Sequence, residues 1–249
     1  MNPPAEASSL LPTLRAGAAR LGLHLTPEQL GLFLLYRDIL LDWNQRTNLT
    51  AVTGPSQVER LLFLDSLTIV SALPARPSTE GLRLLDVGSG SGIPGLPLKI
   101  VLPHLSVTLL EATGKKARFL EHVAERLALT GVNVLNARAE DLARQPDHRE
   151  RYDIVVARAL APMPALAELC LPFAHAGGIV IAPKGAGAAQ EVEEARRAVS
   201  LLGGRVREVR KVDMPELPPD RWLAVLEKVT PTPPAYPRRA GLPAKRPLL

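Results

Sequence analysis

The sequence predicts an α/β fold: a mainly parallel, seven-stranded sheet with an antiparallel last strand, preceded by an N-terminal helical extension. Three observations predict it. Short apolar runs alternate with longer helical stretches between residues 82 and 229, a glycine-rich loop follows the first run, and the preceding residues show only helical periodicity. Strands that alternate with helices form a parallel sheet with both faces covered. We therefore expect a helical extension at 1–73, an α/β domain at 82–229 and a tail at 230–249.

The helical extension carries a clear start signal. Thr26 offers an N-cap hydroxyl, Pro27 suits a first helical turn, and Gln29 stands where a capping box needs it. A second amphipathic stretch runs from residue 56 to about residue 70. One helical stripe carries three aromatic side chains that we expect in the core rather than stacked on bases: Phe33, Tyr36 and Trp43.

Seven strands are expected after a linker marked by Pro74, Pro77, Ser78, Thr79 and Gly81. The strands are predicted at Arg83–Val87, Ser106–Glu111, Asn133–Ala137, Tyr152–Ala157, Gly178–Ala182, Val206–Val212 and Trp222–Lys228. The first five alternate with helical segments, which makes them parallel. The last two have no clear helix between them and are expected to close the sheet as an antiparallel hairpin.

Composition narrows the class of protein. A net charge of +5 over 249 residues fits either a polyanionic partner or an ordinary basic surface. The single cysteine, Cys170, cannot form an internal disulfide, and residues 1–11 show no basic signal-peptide start and no apolar span. We therefore expect a cytoplasmic protein with no membrane partner. We also expect a monomer and no metal site.

The tail is basic and rich in proline. Six prolines fall between residues 230 and 249, and no acidic residue accompanies its cations, which are Arg238, Arg239, Lys245 and Arg246. Such a segment is expected to be extended. It is either a solvated terminus or an arm that contacts RNA.

The glycine-rich loop after the first strand predicts a ligand site. Gly88, Gly90 and Gly92 let the backbone turn tightly and approach a ligand, and a helix is expected to follow from Pro94. Alone this signal is weak, because Gly90, Gly92 and Gly95 also satisfy the spacing of a dinucleotide-binding loop. Asp86 precedes the glycines, and a carboxylate there suits a cation better than a pyrophosphate. The loop therefore favours a sulfonium cofactor, S-adenosylmethionine.

Residues at the ends of the next strands support this interpretation. Glu111 lies 23 residues after Gly88, where an acid can accept hydrogen bonds from both ribose hydroxyls. Glu140 follows the third strand, where it would lie near an adenine or form part of a helix start. Arg158 ends the fourth strand and is expected to bind the cofactor's carboxylate or an RNA phosphate.

Together these residues resemble a known family. The segments that carry the likeness are Asn48-Leu49-Thr50, Asp65-Ser66-Leu67, 86–97, 138–141, Arg158-Ala159 and 236–247. They resemble the bacterial small-subunit rRNA methyltransferases called RsmG or GidB, over nearly the whole chain. The resemblance implies a class I, Rossmann-like methyltransferase that transfers a methyl group from S-adenosylmethionine to guanine N7 in 16S rRNA, near the decoding region.

The resemblance also implies site residues. Its cofactor pocket corresponds here to Gly88, Ile93, Glu111, Ala112, Thr113, Ala139, Glu140 and Arg158. Further candidates for contact with the RNA are Asn48, Lys184, the four tail cations, Arg15, Arg20, Lys115, Lys116 and Arg118. Where the family often has a histidine before Asp-Ser-Leu, this chain has Leu62-Phe63-Leu64.

The absence of two sequence motifs indicates which kinds of methylation the chain is not built for. Methylation of pyrimidine carbon 5 needs a thiolate, and Cys170 falls in a predicted helix away from the site. Methylation of exocyclic amines commonly uses an Asn/Asp-Pro-Pro-aromatic loop, whereas this chain has Ala157-Arg158-Ala159-Leu160. Guanine N7 carries a lone pair and no proton, so its methylation needs positioning rather than a base. Two alternatives stay open at this point: a nicotinamide-dependent oxidoreductase and a non-catalytic RNA-binding assembly factor.

Overall fold

The structure, a computed structural model, describes residues 11–73 and 80–248. The linker predicted at 74–79, like residues 1–10 and 249, lies outside the described residues. The strands are β1 (Arg83–Val87), β2 (Ser106–Leu110), β3 (Val132–Leu135), β4 (Tyr152–Val156), β5 (Ala174–Lys184), β6 (Gly204–Val212) and β7 (Arg221–Lys228). All seven strands lie where the sequence predicts strands, although β5 begins four residues earlier than expected.

The seven strands form one sheet in the order β3-β2-β1-β4-β5-β7-β6. Neighbours among β1 to β5 are parallel, and β7 is antiparallel to both β5 and β6. The predicted fold class is therefore confirmed. The chain order reverses at β1, between β2 and β4, and open α/β sheets bind ligands at the carboxyl ends of strands beside such a point.

Helices precede, connect and follow the strands. Before β1 lie α1 (Pro12–Arg20), α2 (Pro27–Asn44), α3 (Pro55–Gln57), a π-helical segment (Val58–Leu64), α4 (Asp65–Leu67) and a 3-10 segment (Thr68–Ala72). After β1 lie α5 (Gly95–Val101), α6 (Gly114–Arg126), α7 (Ala139–Leu142), α8 (Met163–Cys170), a 3-10 segment (Leu171–Phe173), α9 (Ala188–Glu194), α10 (Arg196–Leu201) and α11 (Leu242–Lys245). The predicted capping box of α2 is present, with Thr26 and Gln29 exchanging hydrogen bonds. No helix in the described ranges is long and apolar enough to cross a bilayer.

Each face of the sheet is covered by its own apolar core, as a parallel sheet requires. The side chains of Leu84 and Ile154 pack with the helical extension, α5 and α6, whereas Leu85 and Val155 pack with α8, α9 and α10. The aromatic stripe of α2 joins the first core. Phe33 and Tyr36 are fully buried there, and Trp43 packs edge-on against Phe119, with 5.6 Å between ring centroids.

The C-terminal segment, residues 230–248, packs against the α/β domain instead of extending away from it. Lys228 is buried and donates hydrogen bonds to Glu150 and to the hydroxyl of Thr232. The guanidinium of Arg149 donates to the carbonyls of Thr232 and Tyr236 at 2.7 and 2.9 Å. Polar side chains of the domain therefore form hydrogen bonds with the segment. The proline content of the segment did not predict these contacts.

Candidate functional site

The glycine loop begins at the carboxyl end of β1 and leads into α5. The backbone N–H groups of Gly88 and Ser89 donate to the carbonyl of Leu110 at 2.8 and 3.0 Å, which ties the loop to β2. Gly92 has φ of +83°, and a Cβ there would lie 2.5 Å from Leu96 and 2.6 Å from the hydroxyl of Tyr36. Gly92 is therefore required by packing as well as by backbone conformation.

Asp86, a residue that we expect at the cofactor, lies inside the protein. Its side chain is fully buried, and Oδ2 accepts a hydrogen bond from the backbone N–H of Gly95 at 2.9 Å. Burial raises the pKa of Asp86 to about 7, against the opposing effect of the Gly95 hydrogen bond. The carboxyl group thus secures the start of α5 and the shape of the loop.

Glu111 connects the glycine loop to the end of β2. One carboxylate oxygen accepts from the N–H of Gly90 at 3.0 Å, and the other accepts from the N–H of Thr113 at 2.7 Å. Asn136, at the end of β3, donates to the Glu111 carbonyl at 2.8 Å. Two hydrogen bonds to its carboxylate and one to its carbonyl therefore fix Glu111 where the ends of β1, β2 and β3 meet.

Two cavities open beside Gly88, which lines both of them. The apolar cavity has a volume of about 200 Å³ and is lined by Val87, Gly88, Leu110, Ala112, Ala137, Arg138, Ala139, Glu140, Leu160, Ala161, Leu169, Gly241 and Ala244. The loop cavity has a volume of about 290 Å³ and is lined by Leu49, Thr50, Val52, Leu62, Gly88, Ser89, Gly90, Ser91, Ile93, Lys116, Arg158 and Ala159. Most of the expected cofactor residues line one of the two.

Arg158 is held by the helical extension. Its Nη2 lies 3.1 Å from Asp65 Oδ2 and donates to the carbonyl of Leu61 at 2.7 Å. Arg221, from β7, also approaches Asp65, at 3.4 Å. Burial lowers the pKa of Arg158, and the Asp65 carboxylate opposes that shift. The buried Nη1 of Arg158 has no hydrogen-bond partner among the described residues, so it can donate to a ligand.

Sequence reasoning missed two contributions to the site. The hydroxyl of buried Tyr36 donates a hydrogen bond to the carbonyl of Ser91 in the glycine loop. Gly241, near the C-terminus, donates its N–H to Glu140 Oε1 at 2.7 Å. Both contacts join residues far apart in sequence, 55 and 101 positions respectively. A tyrosine on an apolar helical stripe and a glycine in a proline-rich tail carry no local signal of such partners.

Six of the expected RNA-contact residues fall into two groups. Lys184 pairs with Glu191 at 2.7 Å, and Arg238 pairs with fully buried Glu168 at 2.6 Å, so both charges are balanced within the protein. Exposed residues at or near the site form the second group, Asn48, Arg239, Lys245 and Arg246. Lys116 also lines the loop cavity. Within the described ranges, no cluster of His, Cys, Asp and Glu could hold a metal ion.

Comparison with known proteins identifies the family. The chain matches the family described as GidB, rRNA small subunit methyltransferase G, over residues 29–218. The chain belongs to this family. The matched residues include the glycine loop, Glu111, Arg158 and both cavities except for Gly241 and Ala244.

Individual relatives agree with that assignment. The chain is 49% identical over 233 residues to ribosomal RNA small subunit methyltransferase G of Dehalococcoides mccartyi, covering 94% of this chain and 97% of the relative. It is 48% identical over 239 residues to the protein of the same name from Roseiflexus sp., covering 96% and 98%. A SAM-dependent methyltransferase from Aquifex aeolicus has the same fold, with a TM-score of 0.52, 18% identity and coverage of 71% of this chain and 94% of that one.

As a member of the GidB family, the protein is an S-adenosylmethionine-dependent methyltransferase. The oxidoreductase alternative is thereby removed. Features of the described residues fit the cofactor: the apolar cavity suits a flat uncharged ring, Glu111 stands in the chain between Leu110 and Ala112, which line that cavity, and Arg158 offers an unpartnered buried donor.

Proposed function

We propose that the protein transfers a methyl group from S-adenosylmethionine to N7 of one guanosine in 16S rRNA near the decoding region. Its resemblance to the GidB family supports this substrate, and the composition of the loop cavity supports the position on the base. That cavity is the observation that carries the proposal. Among its lining residues in the described part of the chain there is no carboxylate, imidazole or thiol.

A site without a base suits guanine N7. The N7 lone pair forms the new bond to the methyl carbon while the bond from that carbon to sulfur breaks, and the positive charge passes from sulfur to the base. No proton leaves N7, so no side chain has to accept one. An exocyclic amine would have to lose a proton, for which the loop cavity offers only hydroxyl groups and cations. Orientation of the two reactants then accounts for most of the rate.

The residues that would hold the cofactor follow from the two cavities. When bound, S-adenosylmethionine supplies the methyl group on a cationic sulfur. Glu111 would accept the ribose hydroxyls, Ala112, Ala139 and Glu140 would surround the adenine, and Arg158 would donate to the methionine carboxylate. The backbone of Gly88, Gly90 and Ile93 would line the rest of the cofactor site. Gly90 fits this role because a Cβ there would meet nothing closer than 3.7 Å.

The RNA would lie across the exposed cations near the cavities. Arg239, Lys245 and Arg246 project from the C-terminal segment, and Asn48 borders Leu49 of the loop cavity. Contacts between such cations and phosphates release counterions, so binding is expected to weaken steeply with salt. We further propose that the enzyme acts as a cytoplasmic monomer on the small ribosomal subunit.

Methylation of small subunits that lack the modification tests this proposal. Purified protein is incubated with such subunits and methyl-labelled S-adenosylmethionine, and the label is mapped by cleavage at N7-methylguanosine. Glu111→Ala is the site variant, and Glu125→Ala on the exposed side of α6 is the matched control. We expect label at one guanosine with the wild type and the control, and none with Glu111→Ala.

Other outcomes separate parts of the proposal. Label on an exocyclic amine or on a pyrimidine would refute N7 as the acceptor. Label on naked 16S rRNA but not on subunits would refute the assembled subunit as the substrate. Cofactor binding with no label on either would refute the rRNA substrate and leave the methyltransferase assignment in place.

A further inference from the structure

The C-terminal segment passes directly over the apolar cavity. Gly241 and Ala244 line that cavity together with residues at the ends of β1, β2 and β3. The N–H of Gly241 donates to Glu140, which follows β3 and lines the same cavity. Both C-terminal residues lie outside the stretch 29–218 that matches the family. The wall they form therefore lies beyond the matched stretch.

One ion pair holds the segment in this place. Arg238 donates to both oxygens of Glu168 through its guanidinium, at 2.6 to 3.1 Å, and its own backbone N–H donates to Glu168 as well, at 2.7 Å. Glu168 is fully buried on α8. A buried carboxylate that loses its cationic partner is strongly destabilising. Withdrawal of the segment would therefore leave an uncompensated charge beside Leu169, which lines the cavity.

The chemistry of the cavity indicates which part of the cofactor it would take. Most of its lining side chains are alanine, valine or leucine, which suit a flat apolar ring better than a charged amino acid. Glu140 accepts from Gly241 through one oxygen, and a carboxylate can accept further hydrogen bonds, such as one from an amino group.

We propose that Gly241 and Ala244 form part of the cofactor site, as the wall that encloses the adenine end of S-adenosylmethionine and sets the affinity for it. The inference rests on the proposed function, because it assumes S-adenosylmethionine in the apolar cavity. Ala244 is the residue whose enlargement acts most directly on that end. Ala240 is a neighbouring exposed alanine that does not line the cavity, so it offers a matched control.

Calorimetric titration with S-adenosylmethionine and, separately, with adenosine tests the inference. Ala244→Leu is expected to weaken the binding of both ligands by about tenfold, because the larger side chain narrows the cavity. Ala240→Leu is expected to bind both as the wild type does. A loss of affinity for S-adenosylmethionine without a loss of affinity for adenosine would overturn the inference. The wall would then contact a part of the cofactor other than the adenine.

Hydrogen exchange in the wild type gives a second measurement that depends on no variant. Saturating S-adenosylmethionine is expected to slow amide exchange in residues 236–246 as well as in the glycine loop. Slowed exchange in the glycine loop alone, with wild-type affinity in Ala244→Leu, would overturn the wall and leave the proposed function intact. Failure of the wild type to bind S-adenosylmethionine would instead refute the cofactor assignment on which both depend.

Discussion

The Asp65 carboxylate lies 3.1 Å from Arg158 and 3.4 Å from Arg221, so one acid of the helical extension pairs with cations from β7 and from the end of β4. The acid is almost fully buried. This arrangement fixes the position of Arg158 at the rim of the loop cavity. The helical extension therefore takes part in shaping the site.

Replacement of Asp65 by asparagine is expected to destabilise the protein strongly. The change would leave two largely buried guanidinium groups without their counter-charge, which costs about 3–5 kcal/mol in the free energy of unfolding. Asp42→Asn is the matched control, because Asp42 pairs with Arg46 on the surface and such a pair contributes roughly 0.3–0.5 kcal/mol. Urea denaturation measures both, and equal losses would contradict the role given to Asp65.

Glu111→Gln is expected to weaken the binding of S-adenosylmethionine by about 10- to 100-fold. Charge-assisted hydrogen bonds contribute roughly 1.5–3 kcal/mol, and a neutral amide would lose that assistance toward ribose hydroxyls. Calorimetric titration measures the change, with Glu125→Gln as the exposed control. Unchanged affinity in Glu111→Gln would show that the acid serves only to hold the N–H groups of Gly90 and Thr113.

Gly92→Ala and Gly90→Ala are expected to differ. Both glycines have positive φ, so each alanine variant loses roughly 1 kcal/mol of stability through backbone strain. Only a Cβ at position 92 would also lie 2.5 Å from Leu96 and 2.6 Å from Tyr36. This overpacking lowers the stability of Gly92→Ala by about 1–3 kcal/mol more. Gly90→Ala should fold nearly normally and bind the cofactor less well. Thermal unfolding and titration, run on both variants, check the contrast.

The buried acid of the glycine loop should make stability depend on pH. Because the pKa of Asp86 is raised to about 7 from an ordinary 3.8, the native state holds its proton where the unfolded state has lost it. The free energy of unfolding therefore falls as pH rises through that window. Asp86→Asn removes the titration, so its stability relative to the wild type should increase by roughly 3–4 kcal/mol from about pH 4 to about pH 8.

Denaturation at several pH values measures that difference. Asp38→Asn, a change at an exposed acid of α2, provides the control and should show no comparable trend. If the free energy of unfolding of Asp86→Asn minus that of the wild type stayed constant or decreased as pH rises, the buried, protonated state of Asp86 would be contradicted.

Most of the sheet could be predicted because each strand is a short apolar run bounded by turn residues or helical periodicity. The first strand, Arg83–Val87, was placed without error. Strand β5 was predicted too short, because its beginning, Ala174 to Gly177, contains small and polar residues. The pairing of Tyr152 with Ala174 extends the strand over them. That pairing is a tertiary contact, which local composition does not record.

The candidate site was predictable to the extent that it consists of strand ends. Gly88, Glu111 and Arg158 each follow a predicted strand, and parallel strands bring their carboxyl ends together. The burial of Asp86 could not be predicted, because it depends on how α5 returns over β1. The contributions of Tyr36 and Gly241 arise from packing between distant segments. No rule of sequence spacing identifies residues that act through such packing.

The division of the apolar core between the two faces of the sheet has a consequence for synthesis of the chain. Phe33, Leu40 and Phe63 leave the ribosome before any strand, yet their packing partners include Leu109 and Ile154. Ile154 is added 121 residues after Phe33 and 91 residues after Phe63, so during translation these side chains lack that part of the sheet until more than half of the chain has been made. A fragment that starts at residue 80 would have the opposite defect, a sheet with one face covered only in part, by α5 and α6, and it should aggregate instead of forming a smaller enzyme.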